Sequence, residues 1–109
     1  PTTSDPTFVY RYRLCANVEL AENQLTSPGC IVMLNTLAHH NVQCKALRLY
    51  RNLIDDVAVC RLSQMLADQS EAIEELHLSN NRITERGIMQ LLMTFSLHPN
   101  HAYPWQAKS

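Results

Sequence analysis

The segment LRLYRNLIDD, Leu47 to Asp56, has two counterparts at one fixed spacing. VELAENQLTS starts at Val18 and LHLSNNRITE at Leu76, so the three starts are 29 residues apart. The register holds without insertion through the columns Cys15/Cys44/Ile73, Val18/Leu47/Leu76, Leu20/Leu49/Leu78 and Leu25/Ile54/Ile83. It continues through Cys30/Val59/Ile88, Met33/Leu62/Leu91 and Leu37/Leu66/Phe95, and one polar column is invariant, Asn23/Asn52/Asn81. A period of this length constrains the chain more than its composition does. A unit of this size cannot bury its own apolar face, so it has to pack against the next copy.

Within each unit the apolar spacing changes once. VEL, LRL and LHL alternate apolar and polar residues, the pattern of a strand with one buried face. Cys30, Met33, Leu34 and Leu37 are then spaced for a helix, as are Val59, Leu62 and Leu66, and Ile88, Leu91, Leu92 and Phe95. Ser27 before Pro28, Asp55–Asp56 and Thr84–Glu85 supply helix start signals. Gly29 and Gly87 share a column with Ala58 between them, which marks a close-packing position beside the helix start.

These columns resemble the leucine-rich repeat, L-x-x-L-x-L-x-x-N-x-L, and the repeat length points to its ribonuclease-inhibitor-like subclass. Cys15 and Cys44 stand at the first leucine position and Val18 at the second, all apolar departures. The resemblance covers about Cys15 to Pro99. It implies an α/β fold, a leucine-rich-repeat solenoid of about three 29-residue repeats, with parallel strands on the concave side and helices on the convex side. The expected organisation is a capping segment over 1–14, repeats over 15–43, 44–72 and 73–101, and an irregular tail or truncated fourth repeat over 102–109, with Trp105 and Ala107 in strand columns. Each asparagine turns the chain inward after its strand, and its carboxamide can bond its own turn and a neighbouring one. A ladder through Asn23, Asn52 and Asn81 is therefore expected.

Charge and composition narrow the function classes. A net charge of −1 argues against a chain that coats nucleic acid, which leaves nucleic acid only an indirect role through an assembly. No apolar run approaches the about 20 residues of a membrane helix, so no membrane insertion is expected. The N-terminal PTTSDPTFVY has no basic-then-apolar signal pattern and begins without Met, which reads as a chain that is processed, excised or the ordered part of something longer. The spacings of Cys15, Cys30, Cys44 and Cys60 match no metal motif, and the four are expected to be reduced core thiols in an intracellular, reducing environment.

The outward strand positions form the rows Asn17/Ala46/Glu75, Glu19/Arg48/His77 and Ala21/Tyr50/Ser79, flanked by Glu22/Arg51/Asn80. Glu19 and Arg48 are expected to pair across adjacent strands. Arg48, Tyr50 and Arg51 form an arginine–aromatic group of the kind enriched at binding hot spots, and with Glu19, His77 and Ser79 they are the candidate partner-binding residues. The alternative for this face is a set of solvated charges that pair among themselves. HHNVQC and HPNH contain His39, His40, His98 and His101, which read as exposed loop histidines rather than converging zinc ligands. With two glycines there is no phosphate-binding loop, and no nucleophile elbow or HExxH motif occurs. No cofactor, metal or catalytic residue is assigned. The expected function is a non-catalytic protein–protein interaction module or scaffold that binds through its concave face or its ends. The alternatives are an accessory subunit or fragment of a large assembly, such as a ribonucleoprotein or membrane complex, and a regulatory domain tethered to an enzyme.

Overall fold

The computed structural model describes residues 14–99. The capping segment expected before Leu14 and the fourth-repeat columns of Trp105 and Ala107 lie outside these residues. Strand and helix alternate: β1 (Cys15–Glu19), α1 (Ser27–His39), β2 (Gln43–Arg48), α2 (Asp56–Asp68), β3 (Glu75–His77) and α3 (Glu85–Leu97). The strands form one open parallel sheet in the order β1-β2-β3. The observed class is a mixed α/β fold with three helices and a three-stranded parallel sheet.

The register follows the sequence rows. Asn17 pairs with Ala46 and Glu19 with Arg48, while Ala46 pairs with Glu75 and Arg48 with His77, and an irregularity lies between Ala16 and Asn17. Leu47 and Leu49 are fully buried, with Arg48 between them reaching out. They meet Leu34, Val59, Leu62 and Leu66 from the helices, so the core lies between one sheet face and the helix layer.

Burial is concentrated in the middle unit. Val18, Leu20, Leu76 and Leu78, in the same columns as Leu47 and Leu49, are only half-buried. Four expectations change as a result. Cys15 is exposed and Cys60 half-buried, so only Cys30 and Cys44 are core thiols. Ala46, placed outward by alternation, is buried. Ile88, placed in the core, is exposed because no unit follows α3 among the described residues. His98, read as an exposed loop residue, is buried and its Nε2 donates to the Gln69 carbonyl at 2.7 Å.

Two sets of side chains tie the units together. Asn52 Oδ1 accepts from the amides of Asn23 (3.0 Å) and Leu25 (2.8 Å), and its Nδ2 donates to the carbonyls of Leu20 and Leu49, both at 2.9 Å. Asn81 repeats the pattern one unit later, accepting from Ile54 N at 3.0 Å and donating to Leu49 O at 2.9 Å. Each asparagine reaches back to the preceding unit. Among the described residues, the Asn23 side chain therefore bonds only Ala21 O, and the expected ladder has two cross-unit rungs.

The second set joins the helix starts. Ser27 does not cap α1: the N-cap is Thr26, and the Ser27 hydroxyl donates to Asp55 Oδ1 at 2.6 Å. Asp55 caps α2 by accepting from Val57 N at 3.0 Å. One unit on, Asp56 accepts from the amide (2.8 Å) and the hydroxyl of Thr84, the N-cap of α3. The side chain just inside one helix thus holds the N-cap of the next. Gly87 packs against this rung, and a Cβ there would sit 2.9 Å from Ile83 Cγ2 and against the Asp56 carboxylate. At Gly29 the nearest atom would be Leu25 Cδ1 at 3.1 Å, the end of a flexible side chain.

Just before each asparagine the chain takes a left-handed residue: Glu22 (φ 61°), Arg51 (φ 56°) and Asn80 (φ 56°). Only asparagine among these tolerates that region readily. The turn is held by the carboxamide that follows it rather than by glycine.

Three outcomes follow for urea denaturation. Asn52→Ala leaves buried carbonyls and amides unpaired and lowers stability by about 1–3 kcal/mol, whereas Asn23→Ala stays within about 0.5 kcal/mol of wild type. Gly87→Ala destabilises despite the better helix propensity of alanine, because overpacking costs about 1–3 kcal/mol, and Gly29→Ala is close to neutral. The Asp55 carboxyl is held below its usual range, first by the Ser27 hydroxyl and then by backbone amides. A carboxyl lowered on folding stabilises above its unfolded value, about 3.9, and loses that contribution as pH falls through the lowered folded value. Asp55→Asn is therefore less stable than wild type at neutral pH, and the two converge in strong acid.

Candidate functional site

The alternation that buries Leu47 and Leu49 sends Arg48 and Tyr50 to the opposite face of the sheet, with Glu19 on β1 and Glu75 and His77 on β3. The face is a row of charges one strand apart, and its geometry is dominated by pairing within the row. Arg48 Nη2 donates to both oxygens of Glu75 at 3.1 Å, while Arg48 Nη1 lies 3.9 Å from Glu19 Oε2. The expected Glu19–Arg48 pair is present but looser than the pair on the other side. Arg51 Nη1 donates to Glu22 Oε2 at 3.3 Å. His77 Nε2 lies 3.3 Å from Glu75 Oε1, and the His77 ring meets Tyr50 edge-on at 6.3 Å. The imidazole contact, followed by Arg48, lowers the Glu75 pKa, so this carboxylate stays ionised into moderate acid.

Five of the six candidate residues are thus joined in two groups: Glu19, Arg48, His77 and Tyr50 through Glu75, and Arg51 through Glu22. Ser79 continues the Tyr50 row and is exposed, and its carbonyl accepts from Arg51 N at 2.9 Å. Glu75 was named in a row but not as a site residue, and it is the hub. Its position opposite Ala46 beside Arg48 was readable from the register alone. Surface ion pairs of this kind contribute about 0–1 kcal/mol each. Their main effect is to fix the guanidinium of Arg48 and remove it as a free anion-binding group.

The remaining chemistry-bearing residues do not converge. Burial pushes the Cys30 thiol up to about 11. Burial also raises Cys44, against a smaller lowering by its contact with Gln69. Neither is an activated nucleophile. His39 and His40 stack edge-on at the end of α1 and are exposed, and His101 lies outside the described residues. Among the described residues no group of three or more His, Cys, Asp or Glu side chains converges to hold a metal ion, and no helix is long and apolar enough to cross a membrane.

Among the described residues, depressions lie away from the charged row. A cleft of about 580 Å³ near the strand starts is lined by Cys15, Gln43, Lys45, Ser70, Glu71 and Glu74. A groove of about 510 Å³ on the helix side runs past Ile31, Val57, Cys60, Arg61, Arg86 and Gln90. Sequence reasoning missed the polar knot beside the cleft. There Gln69 Oε1 accepts from Gln43 Nε2 at 2.9 Å and from Cys44 N at 3.1 Å. The Gln69 column, His40/Gln69/His98, carries different residue types and gave no repeat signal. No protein-family model, curated protein or solved structure matches the chain.

Proposed function

We propose that the chain is a leucine-rich-repeat module of the ribonuclease-inhibitor-like type, a short curved solenoid whose concave sheet face docks a protein partner and which carries out no catalysis. The observation that carries the reading is the Asn52 carboxamide, which bonds two amides and one carbonyl of the preceding unit from the invariant asparagine column. A conserved offset of about one period in these bonds is what stacked repeats require.

On this reading Arg48 is a positioning residue, held by Glu75 and Glu19, and it keeps the face flat and nearly neutral. The contacts come from Tyr50, Arg51, His77 and Ser79. The partner is a protein surface of mixed charge, because the arginines on the face are already matched by carboxylates. The buried, unpaired thiols of Cys30 and Cys44 fit a reducing compartment. A second reading, an accessory subunit of a larger assembly, is favoured by the exposed Met89, Met93 and Leu97 on α3, where units one and two carry Ile31/Cys60, Asn35/Gln64 and His39/Asp68.

The test is affinity capture from the source cells followed by quantitation of the stoichiometric protein recovered. Tyr50→Ala with Arg51→Glu is expected to reduce capture about tenfold or more with an unchanged circular dichroism spectrum. Gln64→Ala on the helix side leaves capture unchanged. Full capture by the double variant would move the interface off the concave face.

A further inference from the structure

Among the described residues, the α3 end leaves repeat columns uncovered that are buried elsewhere. Ile88 is 43% exposed, while its column mates Cys30 and Val59 are 1% and 0% exposed. Leu92 is 36% exposed, against 0% for Leu34 and 3% for Ser63. The same columns are covered wherever a neighbouring unit follows. The sheet edge beside them is open as well. Leu49 N donates to His77 O and Arg51 N to Ser79 O, both at 2.9 Å, so alternation turns the peptide groups of Leu76 to the far edge, where no strand lies among the described residues.

Two features say what fits there. First, β3 is self-complementary. If a second β3 runs antiparallel with Leu76 opposite Leu76, the two residues exchange both backbone hydrogen bonds, and Glu75 of each strand lies opposite His77 of the other. Carboxylate then meets imidazole twice. Second, α3 from Gly87 to Leu97 reads GIMQLLMTFSL and contains no charged residue. Two such helices side by side meet no like-charge repulsion, whereas a charged partner helix would find no counter-charge along this span.

We propose that the β3–α3 end is a docking face for a second copy of this chain. A two-fold axis normal to the sheet passes beside Leu76, joins the two β3 edges antiparallel and brings the α3 helices together through Ile88 and Leu92. An axis in this direction keeps both helix layers on one side of a continuous six-stranded sheet and makes the contact isologous. Covering an edge strand by self-pairing also removes a template for uncontrolled association. The concave charged row stays accessible and becomes continuous across the two copies; Glu75 and His77 belong to both surfaces, so the contact is tested on the chain alone, with no partner present.

Sedimentation equilibrium of the full chain across the micromolar range tests it. The expected result is a dimer that stays a dimer in Val57→Glu, an exposed position on α2, and becomes a monomer with an unchanged circular dichroism spectrum in Ile88→Glu. Glu75→Lys, at an exposed side chain, weakens the dimer about tenfold by placing lysine opposite histidine twice. Adding His77→Glu to Glu75→Lys restores it, because the opposed pairs are complementary again. A wild-type monomer at every concentration would overturn the proposal and leave the face to another occupant, such as a further strand–helix unit. So would an Ile88→Glu dimer as tight as wild type, or a Glu75→Lys, His77→Glu variant no tighter than Glu75→Lys alone.

Discussion

The Asn52 carboxamide is the interaction on which the arrangement depends. Each unit ends its strand with a sharp inward turn through a left-handed residue, and the turn strips backbone amides and carbonyls of their sheet partners. Burying such groups unpaired costs about 1–3 kcal/mol each. One side chain with an acceptor oxygen and two N–H donors resolves several of them at once, in its own turn and in the turn before it. Glutamine would place the same group one methylene further out. A hydroxyl offers one donor and an ionised aspartate none. The requirement therefore selects asparagine at 52 and 81, where the carboxamide reaches the preceding unit.

The helix starts use a related device. The conventional role of a short polar residue there is to cap its own helix, and only Asp55 does so. Ser27 and Asp56 spend their side chains on the next unit's cap residue instead. The joints are thereby pinned on both sides of the core, by carboxamides at the strand ends and by hydroxyl–carboxylate pairs at the helix starts. Between them lie Leu47, Leu49, Val59 and Leu66, all fully buried. Gly87 is glycine because the Asp56 rung passes where its Cβ would stand.

Much of this was legible in the sequence because a period reports contacts between equivalent positions. The strand register, the pairing of Arg48 with a glutamate, the close packing at Gly87 and the job of Asn52 and Asn81 all follow from aligning three segments; Gly29 and Asn23, in the same columns, lack the tight contact and the cross-unit bonds. What was not legible is what a period averages away. Cys15, Cys44 and Ile73 share a column, yet Cys44 is buried and Cys15 exposed, because among the described residues the first and last units have a neighbour on one side and the middle one on both. His98 was misread for a different reason. It was read as an exposed loop histidine because HPNH offers no converging set of zinc ligands, but the imidazole is buried and bonds the Gln69 carbonyl. The choice of Glu75 over Glu19 as the main partner of Arg48 depends on side-chain reach, which residue types do not encode.

The same end effects bear on the charged face. Within the sheet, Arg48 is the only strand cation flanked by acids on both neighbouring strands, and it holds the row Glu19–Arg48–Glu75 in a fixed order of charge. A ligand that approached through Arg48 would have to displace a carboxylate already at 3.1 Å, gaining little over what it broke. Recognition through the edges of the row meets no such penalty. The half-buried Tyr50 ring meets His77 edge-on, and Arg51 is held by one exposed carboxylate. On the proposed reading, a partner would gain most by covering the Tyr50–Arg51 side of the face, where apolar area can be buried without first breaking the pair that orders the sheet surface.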